Sequence, residues 1–235
     1  MIKPEDYTFS PVRSELQMRL DTSFAINLWT GLSSTAGKYP ALSFPQYFHI
    51  LKGMVSDSLS DNPFADEKLF LIESLLSTAL DKIVMHRQGL AVQISDSFGE
   101  AFSCSYIRIE DPLLIDVYSS SPLGYRSAFL LAQYDSLVKQ LLTAHRYGII
   151  TQNERHAVLS EMKAAIRRPM NESRRYKRFD VSRQDAVDQT PKWLKALEYF
   201  KKVDPEVMDG RKRCSYSPPL SPSSQALGKL VNQSI

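Results

Sequence analysis

The chain has 235 residues, 43% of them hydrophobic, and a formal net charge of +3. That is enough apolar material for one sizeable core, which excludes a disordered chain, and the small net charge leaves nucleic-acid binding to be argued from where the charges sit. Two cysteines, Cys104 and Cys214, are too few for a secreted disulfide scaffold; no apolar run reaches the ~20 residues of a membrane span, and residues 1–11 lack the order of a signal peptide, so a soluble, cytoplasmic chain with no membrane partner is expected.

Residues 1–14 are polar, carry Pro4 and Pro11, and read as an N-terminal arm. Glu15-Leu16-Gln17-Met18-Arg19-Leu20 then alternates strictly, the signature of a half-buried strand. Ala25, Leu28, Trp29 and Leu32 recur at i, i+3, i+4, i+7, one apolar helix stripe, with Asp21 or Thr22 as cap and Gly31 near its end. After the turn-rich residues 33–42, a second helix places Phe44, Tyr47, Phe48, Leu51 and Val55 on one face behind Ser43 as N-cap. Pro45 blurs that boundary by restricting Phe44.

Asn62-Pro63 opens a third helix carrying Leu69, Ile72, Leu76, Leu80 and Ile83 to about Arg87. Residues 90–118 read as strands, first at Val92 and Ile94, then at 106–109 and at 114–118. Ser121-Pro122 opens a long helix that ends at Gly148. Thr151 and Glu154 form a capping box for the next, which the pattern closes near Pro169. Thr190-Pro191 opens a last helix through Trp193, Leu197 and Phe200. From Gly210 the Ser, Pro and basic composition predicts a disordered tail. The expected division is an arm over 1–14, a strand–helix–helix element over 15–61, a helical extension with short strands over 62–209 and a tail over 210–235.

Enzymatic signatures are missing. There is no phosphate-binding glycine loop and no nucleophile elbow. The four histidines are scattered, and none pairs with another His or a Cys at metal-ligand spacing. Cys104 in a β-like run reads as a small buried hydrophobe rather than a nucleophile. A non-enzyme without metal or cofactor is expected.

The order at 15–59 is more informative. A lone strand needs a partner. If the same strand of a second copy pairs with it antiparallel, Glu15, Gln17 and Arg19 face outward together on a ribbon that fits a DNA major groove. Gln suits adenine, Arg suits guanine, and the helix start at Ser43 offers amides to a backbone phosphate. The same pattern also fits a strand that edges a larger sheet with Gln17 and Arg19 solvated. Leu114-Ile115-Asp116-Val117-Tyr118 before the 122–147 helix repeats the element order, with Asp116 facing out. Residues 163–178 hold seven Lys or Arg against one acid, Glu172. They read either as a solvated helix end or as phosphate contacts through Arg174, Arg175, Lys177 and Arg178.

Several segments together resemble the AcaB-like family of transcriptional regulators, also described as integrating conjugative element proteins. They are Ser14-Glu15, Leu20-Asp21-Thr22 and Leu28-Trp29-Thr30-Gly31, then Asn62-Pro63-Phe64-Ala65-Asp66 and Ile72-Glu73. Leu123-Gly124-Tyr125, Leu130-Leu131-Ala132-Gln133-Tyr134-Asp135 and Arg167-Arg168 complete the set, so the resemblance spans roughly residues 12–209. It implies an α+β, mostly helical fold: a ribbon-helix-helix dimer core with helical extensions. It also implies an activator of conjugative-transfer genes that binds double-stranded DNA as a homodimer, with Glu15, Gln17 and Arg19 reading bases, Ser43 at the phosphate, and RNA polymerase as a further partner. The long 33–42 connection and Pro45 depart from the minimal pattern. A non-catalytic assembly factor of a conjugative element, binding another protein through the 122–168 helices, is the competing expectation.

Overall fold

The structure is a computed structural model and describes residues 16–31, 41–100, 102, 105–107 and 111–233. The first element is β1 (Gln17–Leu20), with Met18 and Leu20 buried and Gln17 and Arg19 exposed, as its alternation requires. Its partner is not a second copy. Strand β2 (Leu113–Asp116) of the same chain pairs with it antiparallel, Gln17 opposite Asp116, Met18 opposite Ile115, Arg19 opposite Leu114 and Leu20 opposite Leu113. The Val117 amide extends the ladder by donating to the Leu16 carbonyl at 2.8 Å. The expected ribbon-helix-helix dimer core is therefore corrected. The backbone groups of β1 that needed a partner find it inside the chain, and the rest of the described fold is helical, as expected.

Helix α1 (Ser23–Thr30) starts at Thr22, whose side chain accepts from the Ala25 amide, and ends at Gly31 with φ +80°. Any Cβ there would also lie 2.5 Å from the Ala41 carbonyl oxygen, so glycine is required twice over. Helix α2 (Phe44–Leu59) begins with the Ser43–Gln46 capping box and tolerates Pro45 in its first turn. The expected connection at 33–42 lies almost wholly outside the described residues.

Helix α3 (Pro63–Phe98) is capped by Asn62, whose side-chain Oδ1 accepts from the Phe64 and Ala65 amides. It passes the expected end at Arg87. Val92 and Ile94 are helical, not strand: Ile83, Leu90 and Ile94 are buried on one face while Val92 is exposed. A two-residue alternation carries little weight against a helix already nucleated, where each added residue gains a hydrogen bond. Of the expected strand at 106–109, Tyr106 and Ile107 are described and lie outside any strand, the Ile107 amide donating to Thr143 Oγ1 of the 122–146 helix at 3.1 Å; Cys104 lies outside the described residues.

Helix α4 (Pro122–Arg146) is buried around much of its circumference, from Leu123 to Ala144, and is the hub on which α1, α3, α5 and β1 pack. Helix α5 (Gln152–Arg174) has the expected Thr151–Glu154 capping box but continues through Pro169. The proline lacks one donor, yet Ile166, Pro169, Met170 and Ser173 are all buried against the core, and that burial holds the last turn in place.

The remaining elements are α6 (Arg183–Val187), α7 (Pro191–Phe200), α8 (Pro205–Met208) and α9 (Pro222–Gln233). They gather a second apolar cluster around Phe64, with Val181, Trp193, Ala196, Met208 and Val231 buried in it. Composition suggested a tail without structure from Gly210; the structure instead places α9 against α6 and α8 and buries Cys214 in the main core.

Arg183 ties α6 to the start of α3 and to α8. It is fully buried and uses all five of its N–H donors: Nε to the Met208 carbonyl at 2.7 Å, Nη1 to Asp61 Oδ1 at 2.7 Å and the Asp61 carbonyl at 3.4 Å, and Nη2 to Asp66 Oδ2 at 2.9 Å and the Val207 carbonyl at 2.7 Å.

Candidate nucleic-acid interface

Of the outward ribbon residues, Glu15 lies outside the described residues. Gln17 and Arg19 share one exposed face with Asp116 and Leu114, their cross-strand partners. Gln17 Nε2 donates to Asp116 Oδ1 at 3.2 Å, and Arg19 Nε donates to Asp21 Oδ1 at 2.7 Å. Asp21 is also held by Lys139 on α4. Burial pushes the Asp21 carboxyl up, but the hydrogen bonds from Lys139 and Arg19 outweigh it and leave the group below the usual carboxylate range.

The root of the ribbon is fixed by Asp135. This buried carboxylate accepts from the Asp21 amide at 3.1 Å, the Thr22 amide at 2.8 Å and the Thr22 hydroxyl at 2.7 Å. One side chain of α4 thus satisfies two backbone donors at the turn from β1 into α1.

Ser43 is the N-cap expected, but its neighbourhood is largely spent. Its hydroxyl accepts from the Gln46 amide at 3.3 Å, and Gln46 Oε1 accepts from the Ser43 amide at 3.0 Å. Pro45 has no N–H to give, so few of the amides proposed for a phosphate remain there.

The basic segment is partly neutralised from far along the chain. Arg178 Nε donates to Asp57 Oδ1 at 2.7 Å, and Tyr176 donates its hydroxyl to Asp57 Oδ2 at 2.9 Å. Burial and then the Asp57 charge raise the Tyr176 phenol well above its ordinary range. Arg175 pairs with Glu172 at 2.6 Å, and Lys177 sits 5.3 Å from the centres of both the Phe179 and Tyr199 rings. Arg174, Arg175, Lys177 and Arg178 are nevertheless all exposed at the surface.

One group was not singled out by the sequence reading. His156, Ser160, Lys163 and Arg167 recur along α5 at i, i+4, i+7 and i+11, so they share one face. With Ser23, Phe24 and Asn27 of α1 they line a cleft of about 410 Å³. Arg167 spans it, donating to the carbonyls of Leu42 and Asn27, and burial lowers its guanidinium pKa. The helical spacing was a signal present in the sequence; the pairing of α5 with α1 was not.

No group of three or more His, Cys, Asp or Glu residues suited to a metal ion occurs among the described residues, and no helix there is long and apolar enough to cross a membrane.

No curated protein matches the chain. Its fold is similar to the crystal structure of selenomethionine-containing AcaB from uropathogenic E. coli, with a TM-score of 0.50 and 11% sequence identity over 86% of this chain and 98% of that one. The family model for the transcriptional regulator AcaB matches residues 9–221, nearly the whole sequence. The chain belongs to the AcaB family of transcriptional regulators.

Proposed function

We propose that this regulator acts by binding double-stranded DNA at the promoters of conjugative-transfer genes, and that it activates them. The observation that carries the reading is the exposed ribbon face, which sets Gln17, Arg19 and Asp116 side by side. These side chains match adenine, guanine and cytosine edges in a major groove wide enough for a two-stranded ribbon. Arg19 is the exposed member of its pair, and Asp21 keeps Lys139 when Arg19 turns to the groove. Arg174, Arg175, Lys177 and Arg178 add phosphate contacts that position the protein without reading sequence.

A gel shift on conjugative-transfer promoter DNA, against random competitor, tests this. Each good bidentate contact discriminates by ~1–3 kcal/mol, so Gln17→Ala/Arg19→Ala is expected to lose most of its preference for the promoter while keeping its circular dichroism. Preference unchanged in the double variant would move base reading off the ribbon.

A protein partner is the second reading, supported by a cleft of about 620 Å³ beside α4 that Leu16, Tyr125, Phe129 and Tyr216 line. Phe129 is 53% exposed and Tyr216 46%. Such a surface suits RNA polymerase, a second copy forming a homodimer, or an assembly partner in conjugation. Light scattering of the chain alone separates the second copy from the other two.

A further inference from the structure

From Thr22 to Ser56 the sequence contains no Asp or Glu. Those residues include all of α1 and most of α2, and Arg167 ties α5 to α1 and to the segment that leads into α2 by reaching the Asn27 and Leu42 carbonyls. The acids of α5 are engaged elsewhere. Glu161 meets Lys82 at 2.8 Å and Glu172 meets Lys68 at 3.3 Å, both on α3, while Glu154 closes its capping box. The cleft between α1 and α5 therefore has cations in its lining and no carboxylate. Lys163 is exposed at it and makes no ion pair among the described residues. The first residues of α1, Ser23 and Phe24, also line it.

We propose that this cleft seats the phosphate backbone of double-stranded DNA, with Lys163 supplying the charge and Ser23, Asn27 and Ser160 the hydrogen bonds. The inference rests on the DNA-binding reading above and adds a contact surface outside the ribbon and outside residues 174–178. Charge complementarity selects the partner: an acid-free surface repels no phosphate, whereas the α3 side of α5 alternates charges and neutralises itself.

The test is fluorescence anisotropy of the full chain with labelled promoter and random duplexes across a salt series. Lys163→Ala is expected to weaken both duplexes alike and to make the slope of log affinity against log salt shallower by about 1, the signature of one lost phosphate contact. Lys163→Glu is expected to weaken both further. Lys195→Ala, the same charge change on α7, is expected to leave the slope alone. If wild type binds DNA and Lys163→Ala keeps the wild-type slope, or Lys195→Ala matches its effect, the cleft assignment fails and the ribbon reading stands. If a folded wild type binds no duplex, the DNA-binding reading fails and takes this one with it.

Discussion

Replacing Arg183 by methionine is expected to destabilise the protein by about 3–5 kcal/mol, the range for removing one member of a buried ion pair. Asp66 is fully buried as well; it accepts from the Ser58 hydroxyl at 2.5 Å and meets Arg213 at 3.4 Å. Without Arg183, the carbonyls of Val207 and Met208 lose a donor, Asp61 loses the guanidinium that holds its carboxylate, and Asp66 is left with the Ser58 hydroxyl and Arg213. Lysine is a poor substitute, since it offers three donors from one point where the site uses five in a planar fork.

The double variant Arg183→Met/Asp66→Leu is expected to recover only part of the loss, because it removes the buried Asp66 charge together with its partner but leaves Asp61, Arg213 and the Val207 and Met208 carbonyls without theirs. Urea denaturation measures both. The two tryptophans divide the readout: Trp193 is buried in the second cluster, and Trp29 packs against the main core. A loss below about 1 kcal/mol for Arg183→Met, the net worth of an ordinary hydrogen bond, would show that the fork is not what holds α6 and α8 to α3.

Asp135→Ala is expected to cost about 2–4 kcal/mol, because it strands two buried amides at roughly 1–3 kcal/mol each, less what water recovers. The loss should be local as well as global. Hydrogen exchange at Asp21 and Thr22 is expected to speed up before that of the α3 amides. Asp135→Asn is expected to fall between, since it keeps one acceptor and turns a donor toward the other N–H. Unchanged protection at residues 21 and 22 would mean that another group holds the turn. The carboxylate also bears on the proposed DNA contact, because it positions β1 on α4 and with it the strand that carries Gln17 and Arg19.

Local chemistry was legible in the sequence wherever a few adjacent residues decide the outcome. Asn62-Pro63, Thr151 with Glu154, Thr190-Pro191 and the alternation at 16–20 each mark an element that the structure contains. Partner choice was not legible. Alternation tells β1 which side chains to bury, but nothing in it distinguishes a second copy from Leu113–Asp116, almost a hundred residues away. The same limit applies to the basic segment. Counting charges over 163–178 finds strong excess cation, yet Asp57, which holds Arg178 and Tyr176, comes from α2. The C-terminal elements were hidden by composition: a few apolar side chains such as Met208 and Val231 suffice there because Phe64 and Trp193 provide the surface they cover. Of the candidate site, the ribbon's outward residues could be named in advance; the α1–α5 cleft could not, because only packing brings Ser23 and Lys163 together.

A ribbon closed within one chain assembles at any protein concentration, unlike one shared between protomers, whose integrity follows mass action. It also lacks a two-fold axis. One strand brings an amide and a guanidinium to the outer face, and the other brings a carboxylate and a leucine. Symmetric readers bind palindromic operators because the duplex mirrors their symmetry. A face with two unlike edges has polarity, so if the ribbon reads bases as proposed, the sequence that fits it reads differently in its two directions, and a single chain bound there would set the orientation of whatever it recruits.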